Sequence, residues 1–176
     1  KKINYKRQPI FIWSVQRDRG LDKTIKMWVN EIYPFNKSAK FHIYGIKKLP
    51  NKYKDKYLVS KNIIFKGRVS KKKLKNIYNK ALAMICLGYD ETFCLNALEA
   101  NSCGLPVLTF GKTAVKDYVK HNNNGLIVNN FKELSFSISK ILTQTNSMRK
   151  KFINNSIAKS NSYHINNIIK YWVKLI

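Results

Sequence analysis

Three carboxylates lie close together in a chain that has few of them. Asp90, Glu91 and Glu99 fall within ten positions, although the 176 residues contain 9 Asp plus Glu against 34 Lys plus Arg. The spacing of the two glutamates allows one before a helix and the other about one and a half turns into it, flanking a single ligand. Carboxylates repel phosphates but accept hydrogen bonds from paired sugar hydroxyls. The alternative is that Asp90 or Thr92 only caps a helix, that Glu91 interacts with the helix dipole in the first turn, and that Glu99 is a surface charge.

The elements that position these carboxylates alternate between two types. Short apolar runs alternate with segments of helical period, a pattern typical of repeated β-α units around a parallel sheet. The loop that carries Glu91 follows the fourth strand and precedes a helix N-terminus, where backbone N–H groups favour an anion such as a pyrophosphate. The predicted strands are 10–15, 41–44, 62–65, 81–87, 107–110 and 126–128, and the predicted helices are 21–33, 51–59, 70–79, 94–102 and 114–120, followed by two or three more.

This order predicts one α/β domain over residues 1–176, a doubly wound Rossmann-like parallel sheet. Ligands of such sheets bind outside the carboxyl ends of the strands. The segments to consider are therefore 16–20, 45–48, 66–69, 88–93 and 110–113.

The composition limits the function classes. A formal charge of +25 suits nucleic acid, an anionic membrane surface or phosphorylated small molecules. Lys, Asn and Ile are abundant throughout, as AT-rich coding would produce, and Arg is scarce, so specific nucleic-acid binding is disfavoured. Cys86, Cys94 and Cys103 have no CxxC or Cys/His spacing, which argues against a disulfide framework or a zinc site. No membrane-spanning run or signal peptide is present, so we expect a cytoplasmic protein that an anionic membrane surface could attract.

One ordered set of motifs resembles a known family. The run GYDETFCLNALEANSCGLPVLTFGKTAVKDYVKHNNNGLIV is similar to the signature region of retaining glycosyltransferases of family 4, in the C-terminal, nucleotide-sugar-binding domain of their GT-B fold. It contains the Glu-seven-Glu motif, Glu91 to Glu99, and the Gly-x-Pro-Val turn that begins at Gly104. SVQRDRGLDKTIKMW resembles the first strand-loop-helix, IIFKGRV the third strand and its loop, and YHINNIIKYWVKL the last helix.

The resemblance implies roles for individual residues. Glu99 is expected to bind ribose hydroxyls, Glu91 to bind donor-sugar hydroxyls as a catalytic residue, and Arg19 to contact the diphosphate with its planar fork. The expected backbone and base contacts come from Thr92, Phe93, Cys94 and Leu95, and from Lys66, Gly67 and Arg68. The family implies no cofactor and no metal, because basic side chains and the helix N-terminus stabilise the leaving diphosphate.

The chain departs from the family pattern at three points. Ser14 stands where the pattern has Arg, five residues before Arg19, so either Arg17 or Lys66 compensates for the missing charge or the charge is lost. Thr92 and Cys94 stand where the pattern has Gly, and a Cβ there alters the sugar pocket. The N-terminal acceptor domain is absent from this chain, so we expect the isolated chain to be inactive and to have been cut from a longer protein.

The function expected is therefore the donor half of a retaining hexosyltransferase that uses a UDP- or GDP-sugar, with the N-terminal domain of the same protein as partner. The alternatives are a non-catalytic nucleotide-sugar-binding module and a basic polyanion-binding protein that reuses the fold. Among other candidates, His42 is expected to be structural, and Tyr44 either stacks on a base or belongs to the core. The sugar, the acceptor and the oligomeric state are not encoded in any recognisable motif.

Overall fold

The structure is a computed structural model, and it describes residues 3–15, 19–46, 55–88 and 92–172. Strands and helices alternate along the chain, as the apolar runs predict. In chain order the elements are β1 (Ile10–Trp13), α1 (Leu21–Met27, continued by a π-helical turn, Trp28–Ile32), β2 (Lys40–Tyr44), α2 (Asp55–Ser60), β3 (Ile63–Gly67), α3 (Lys71–Tyr78), β4 (Ala83–Cys86), α4 (Leu95–Ser102), β5 (Val107–Phe110), a 3-10 turn (Ala114–Asp117), β6 (Gly125–Val128), α5 (Phe131–Leu142), α6 (Asn146–Asn161) and α7 (Ile165–Trp172).

The six strands form one parallel sheet in the order β3-β2-β1-β4-β5-β6. The central strand β1 pairs with β2 on one side and with β4 on the other. The first three strands therefore proceed outward in one direction and the last three in the other. This confirms the doubly wound, Rossmann-like sheet.

The strands are buried because helices cover both faces of the sheet. Every residue of β4 and β5 is buried, which explains their continuous apolar sequences AMIC and VLTF. Trp28 is fully buried, stacks on Phe41 at 5.1 Å between ring centroids and meets Phe11 edge-on at 5.7 Å. The helix widens to a π turn at this tryptophan, a local detail that helical periodicity does not encode.

Helix starts follow their capping residues. The Ser70 hydroxyl accepts a hydrogen bond from the Lys73 amide at 3.3 Å, as predicted for an N-cap. At α5 the Asn130 side chain accepts from the Glu133 amide at 2.9 Å, and the Glu133 carboxylate accepts from the Asn129 amide at 2.8 Å. Each cap satisfies amides that lack an intrahelical partner, so it fixes where the helix begins.

Two predicted helices differ in detail. The helix expected over 114–120 is only a 3-10 turn, Ala114–Asp117, because the chain leaves it at Tyr118 and Val119, which are fully buried. Of the helix expected over 51–59, residues 51–54 lie outside the described residues, and the part that is described begins at Asp55 and ends at Ser60. The C-terminal segment forms three helices.

His42 in β2 gives the fold a dependence on pH. Its Nε2 atom is buried without a hydrogen-bond partner among the described residues. Burial, with smaller contributions from Lys66 and Lys40, lowers the pKa of His42 from 6.5 to about 4. The folded protein therefore holds a neutral imidazole over a range of pH in which the unfolded chain takes up a proton.

We expect the free energy of unfolding to fall as the pH is lowered from about 6.5 to about 4, because only the unfolded chain gains a proton at this position there. His42→Gln should remove this share of the pH dependence. Urea unfolding at pH 7 and pH 4.5 measures it, and the difference between the two pH values should be smaller in the variant. An unchanged difference would show that other groups account for it.

Candidate functional site

The candidate site lies where the direction of winding reverses. The pair β1–β4 is the point from which the chain winds outward to β3 on one side and to β6 on the other. Crossover connections leave this point on opposite faces of the sheet, which opens a crevice at the carboxyl ends of the two strands. The loops after β1 and β4 border this crevice.

A pocket of about 370 Å³ occupies this position. One wall comes from the loop after β1 and the other from the segment that opens α4. The first-turn amides of a helix lack intrahelical partners, so an anion in the pocket would meet N–H donors and the positive end of the helix dipole. The lining residues are Val15, Arg19, Thr92, Phe93, Cys94, Leu95 and Asn96.

Arg19 reaches the pocket by packing against the backbone of Gly88. A Cβ at Gly88 would lie 2.8 Å from the Arg19 Cδ and 3.3 Å from its Cβ and Cγ. Glycine at position 88, two residues after β4, therefore leaves the room in which the arginine stem lies. This role of Gly88 was not predicted from the sequence, because it depends on where the Arg19 side chain lies after folding.

The segment before α4 adopts an unusual backbone. Cys94 is the N-cap residue, with φ 52° and ψ 71°, and its side chain makes no capping hydrogen bond. Left-handed backbone favours glycine, which accounts physically for the glycine of the family pattern here. Thr92 is therefore not the N-cap, and the alternative prediction that it caps this helix is wrong. Asp90, the other predicted cap, lies outside the described residues. The Cys94 thiol is buried against Cys86, with 3.2 Å between the two sulfur atoms.

Tyr118 braces this strained segment. Its hydroxyl lies 2.8 Å from the carbonyl oxygen of Phe93 and 3.0 Å from that of Cys94, and it shares its proton between them. The rings of Phe93, Tyr118 and Tyr163 form a cluster with centroid separations of 5.5 to 6.0 Å. Tyr118, 25 positions after Phe93 in the chain, thus holds this wall of the pocket in place.

Ser14 contributes no charge to the pocket. Its hydroxyl lies 2.8 Å from the Tyr78 hydroxyl, and its carbonyl accepts a hydrogen bond from the Asn96 side chain. Burial raises the pKa of Tyr78 well above its ordinary value, so this hydroxyl stays protonated. Ser14 stands where the family pattern has Arg, and through these two hydrogen bonds it connects the end of β1 to α3 and α4.

Glu99 faces the N-terminus of α3. Its carboxylate lies 3.5 Å from the Lys71 ammonium, and the Lys71 side chain is 92% exposed and the Glu99 side chain 42%. Such an exposed pair is weak and can be displaced by a ligand. Between α3 and α4 the two residues border a groove of about 200 Å³ that also includes Leu74, Tyr78, Ser102 and Cys103.

The predicted base contacts lie on the same side as Glu99. Lys66 and Gly67 end β3, and Arg68 begins the loop that leads directly into α3. Both Lys66 and Arg68 are exposed, and Gly67 takes the left-handed value φ 62°. The contact of Glu99 with Lys71 therefore brings the end of this loop next to the predicted ribose ligand.

The structure brings some predicted residues together and leaves others untested. Arg19 and the segment from Thr92 to Leu95 share one pocket, whereas Glu99 borders the neighbouring groove. Glu91 and Arg17 lie outside the described residues, so their predicted roles stay predictions. Within the described ranges no three His, Cys, Asp or Glu side chains are grouped to hold a metal ion.

The remaining candidates have structural surroundings. Tyr44 is buried in the core, which favours the second of its two predicted roles. His121 Nδ1 lies 3.0 Å from the Ile127 carbonyl and 3.1 Å from the Ile127 amide, and so links two stretches of backbone. Among the residues that the structure describes, no helix is both long and apolar enough to cross a bilayer.

A family comparison identifies most of the chain. Residues 3–159 match the family model described as "Glycosyl transferases group 1". A comparison with curated protein sequences finds no match.

Solved structures of low sequence identity share the fold. TarM matches with a TM-score of 0.80 and 20% identity over 99% of this chain and 37% of its own. The pneumococcal O-GlcNAc transferase GtfA, in complex with UDP and GlcNAc, matches at 0.79 and 16% over 99% and 37%. The C-terminal domain of the group 1 glycosyl transferase LpcC from Francisella tularensis matches at 0.69 and 18% over 89% and 86%. The chain thus spans 37% of the length of TarM and of GtfA, and its fold is that of the C-terminal domains of GT-B glycosyltransferases.

Gly88→Ala should displace Arg19 from the pocket, because the added Cβ would meet the Arg19 stem. We expect affinity for a nucleoside diphosphate to fall roughly tenfold, the scale of one charged hydrogen-bond contact. Calorimetry measures this loss. Gly111→Ala is the matched control, since Gly111 also follows a buried strand and its added Cβ would meet only Ile127 and Asn129 side chains. Equal affinity in wild type and Gly88→Ala would show that the Arg19 position does not matter.

Proposed function

The chain belongs to the group 1 glycosyl transferase family, and from this premise we propose that it is the donor-binding domain of a retaining GT-B enzyme of family 4. In this proposal it holds a nucleoside-diphosphate hexose while a second domain presents the acceptor. The enzyme transfers the hexose with retention of configuration at the anomeric carbon.

One observation carries the proposal: Arg19 and the N-terminus of α4 converge on a single pocket where the winding of the sheet reverses. The leaving diphosphate gains negative charge as the bond to the sugar breaks. A guanidinium and aligned helix amides that are already in place stabilise that charge without reorganisation. Arg19 is therefore assigned to the diphosphate and acts on the leaving group.

The nucleoside is assigned to the side of the pocket that leads to α3. Glu99 accepts hydrogen bonds from the ribose hydroxyls, and Lys66, Gly67 and Arg68 border the base. The weak ion pair between Glu99 and Lys71 breaks when ribose binds. The structure of GtfA holds UDP, which makes UDP the first nucleotide to test and GDP the second.

The donor sugar is assigned to the segment that precedes α4. Thr92, Phe93, Cys94 and Leu95 line the pocket and are proposed to contact the sugar, and Glu91 is proposed to bind its hydroxyls. The Cβ atoms of Thr92 and Cys94 occupy space that glycine would leave, so they are proposed to help select the sugar, while the Cys94 thiol packs against Cys86. Arg17 is proposed to supply the positive charge that Ser14 lacks, and no metal ion or cofactor is required.

Catalysis is proposed to need a domain outside this sequence. The donor pocket is open, with a mouth at the carboxyl edge of the sheet. A donor held there without a facing acceptor loses the large contribution of proximity and is not shielded from water. The 176-residue chain is therefore expected to bind a donor nucleotide but to transfer no sugar.

The test is nucleotide binding with variants of Arg19 and Glu99. UDP at about a hundred times its Kd should stabilise the folded chain by about 2.7 kcal/mol, a shift that thermal melting detects. Arg19→Ala should weaken UDP or GDP binding by about 1.5 to 3 kcal/mol in calorimetry. Lys72→Ala, on the exposed face of α3, is the control for loss of one positive charge.

A modified ligand isolates the role of Glu99. Glu99→Ala should weaken binding of UDP, yet leave binding of 2′,3′-dideoxy-UDP unchanged, since the dideoxy ligand lacks the hydroxyls that the carboxylate accepts from. Equal losses for both ligands would contradict the ribose assignment. No melting shift with any nucleoside diphosphate at millimolar concentration would contradict the donor-binding function and favour a polyanion-binding protein.

A further inference from the structure

The edge of the sheet opposite the donor pocket carries a distinct surface. Two turns lie side by side there, one before β2 and one before β3. The Asn62 side chain donates to the carbonyl oxygens of Lys37 at 2.7 Å and of Ala39 at 3.1 Å, and these bonds fix the two turns to each other. The amino-edge patch consists of Phe35, Lys37, Lys40, Tyr57, Val59 and Lys61.

Large apolar side chains of this patch are open to solvent. Phe35 is 82% exposed at the tip of its turn, and Tyr57 and Val59 on α2 are 51% and 56% exposed. The turn before β2 and helix α2 both precede paired parallel strands, so these side chains lie near the same edge of the sheet, and several exposed apolar side chains in one region mark an interaction surface. Phe35 is the most exposed of the large apolar side chains that the structure describes.

Lysines surround the apolar side chains. The Lys61 ammonium lies 5.0 Å from the Tyr33 ring centroid and 5.7 Å from that of Tyr57, and Lys37 lies 5.6 Å from Tyr33. The six residues of the patch include three lysines, Lys37, Lys40 and Lys61, and no carboxylate. A second copy of the chain would bring these lysines against one another, so charge disfavours self-association.

We propose that the amino-edge patch docks on an anionic lipid bilayer. Aromatic and aliphatic tips ringed by lysines match the boundary between head groups and acyl chains, where rings partition and ammonium groups bind lipid phosphates. Single-stranded nucleic acid fits less well, because base stacking needs open ring faces and the Tyr33 and Tyr57 rings already carry lysine ammonium groups. This inference does not depend on the proposed glycosyl transfer.

Vesicle sedimentation tests the docking. The 176-residue chain should sediment with phosphatidylcholine vesicles containing phosphatidylglycerol and remain free with pure phosphatidylcholine. Lys37→Gln/Lys61→Gln should lower the partition coefficient about thirtyfold, since each lysine near an anionic surface contributes about fivefold. The control Lys72→Gln/Lys73→Gln removes the same charge from the exposed face of α3 and should lower it less than threefold.

Variants of the apolar side chains provide the second test of the docking. Phe35→Ser/Tyr57→Ser should lower the partition coefficient at least tenfold, whereas Phe136→Ser, at a residue that is 72% exposed on α5, should not change it. The proposal would be overturned if the two lysine double variants lowered the partition coefficient equally, or if Phe35→Ser/Tyr57→Ser did not lower it. Either result would mean that the chain is attracted by diffuse charge. The proposal would also be overturned if Phe35→Ser/Tyr57→Ser lost binding to single-stranded RNA as much as binding to vesicles. Thermal melting confirms that each variant is folded.

Discussion

The site depends on the reversal of winding between β1 and β4. The buried β4 and β5 fix the centre of the sheet, and the pairing of Phe11 with Ala83 fixes how β1 meets β4. Crossover connections on opposite faces then leave a crevice at one edge only. The pocket of Arg19 and α4 lies in this crevice.

Local strain at the pocket is balanced by contacts from distant parts of the chain. The left-handed backbone of Cys94 costs about 1 to 2 kcal/mol for a residue with a side chain. The Tyr118 hydroxyl and the contact with Cys86 offset that cost, and both are buried. Such a segment is held in one conformation before any ligand arrives, which reduces the reorganisation that binding requires.

The fold was predictable from sequence because its signals are local. Runs such as VLTF and AMIC are buried on both sides, and Ser70 caps a helix through its neighbour in sequence. Contacts between distant residues were not predictable. The contact of Lys71 with Glu99 joins residues 28 positions apart, and Ser14 contacts Tyr78 64 positions away. The role of Gly88 follows from where Arg19 lies after folding, which no spacing rule encodes.

The central claim is that a nucleoside diphosphate binds at the carboxyl edge between β1 and β4. The most direct measurement is a titration of the isotope-labelled chain with UDP, and then with GDP, followed by amide chemical shifts. Saturable shifts should be largest at Gly88 and at Thr92 to Asn96, with smaller shifts near Glu99. Shifts that centre on Lys37 and Lys61 at the opposite edge, or that spread over the lysines without saturating, would contradict the account.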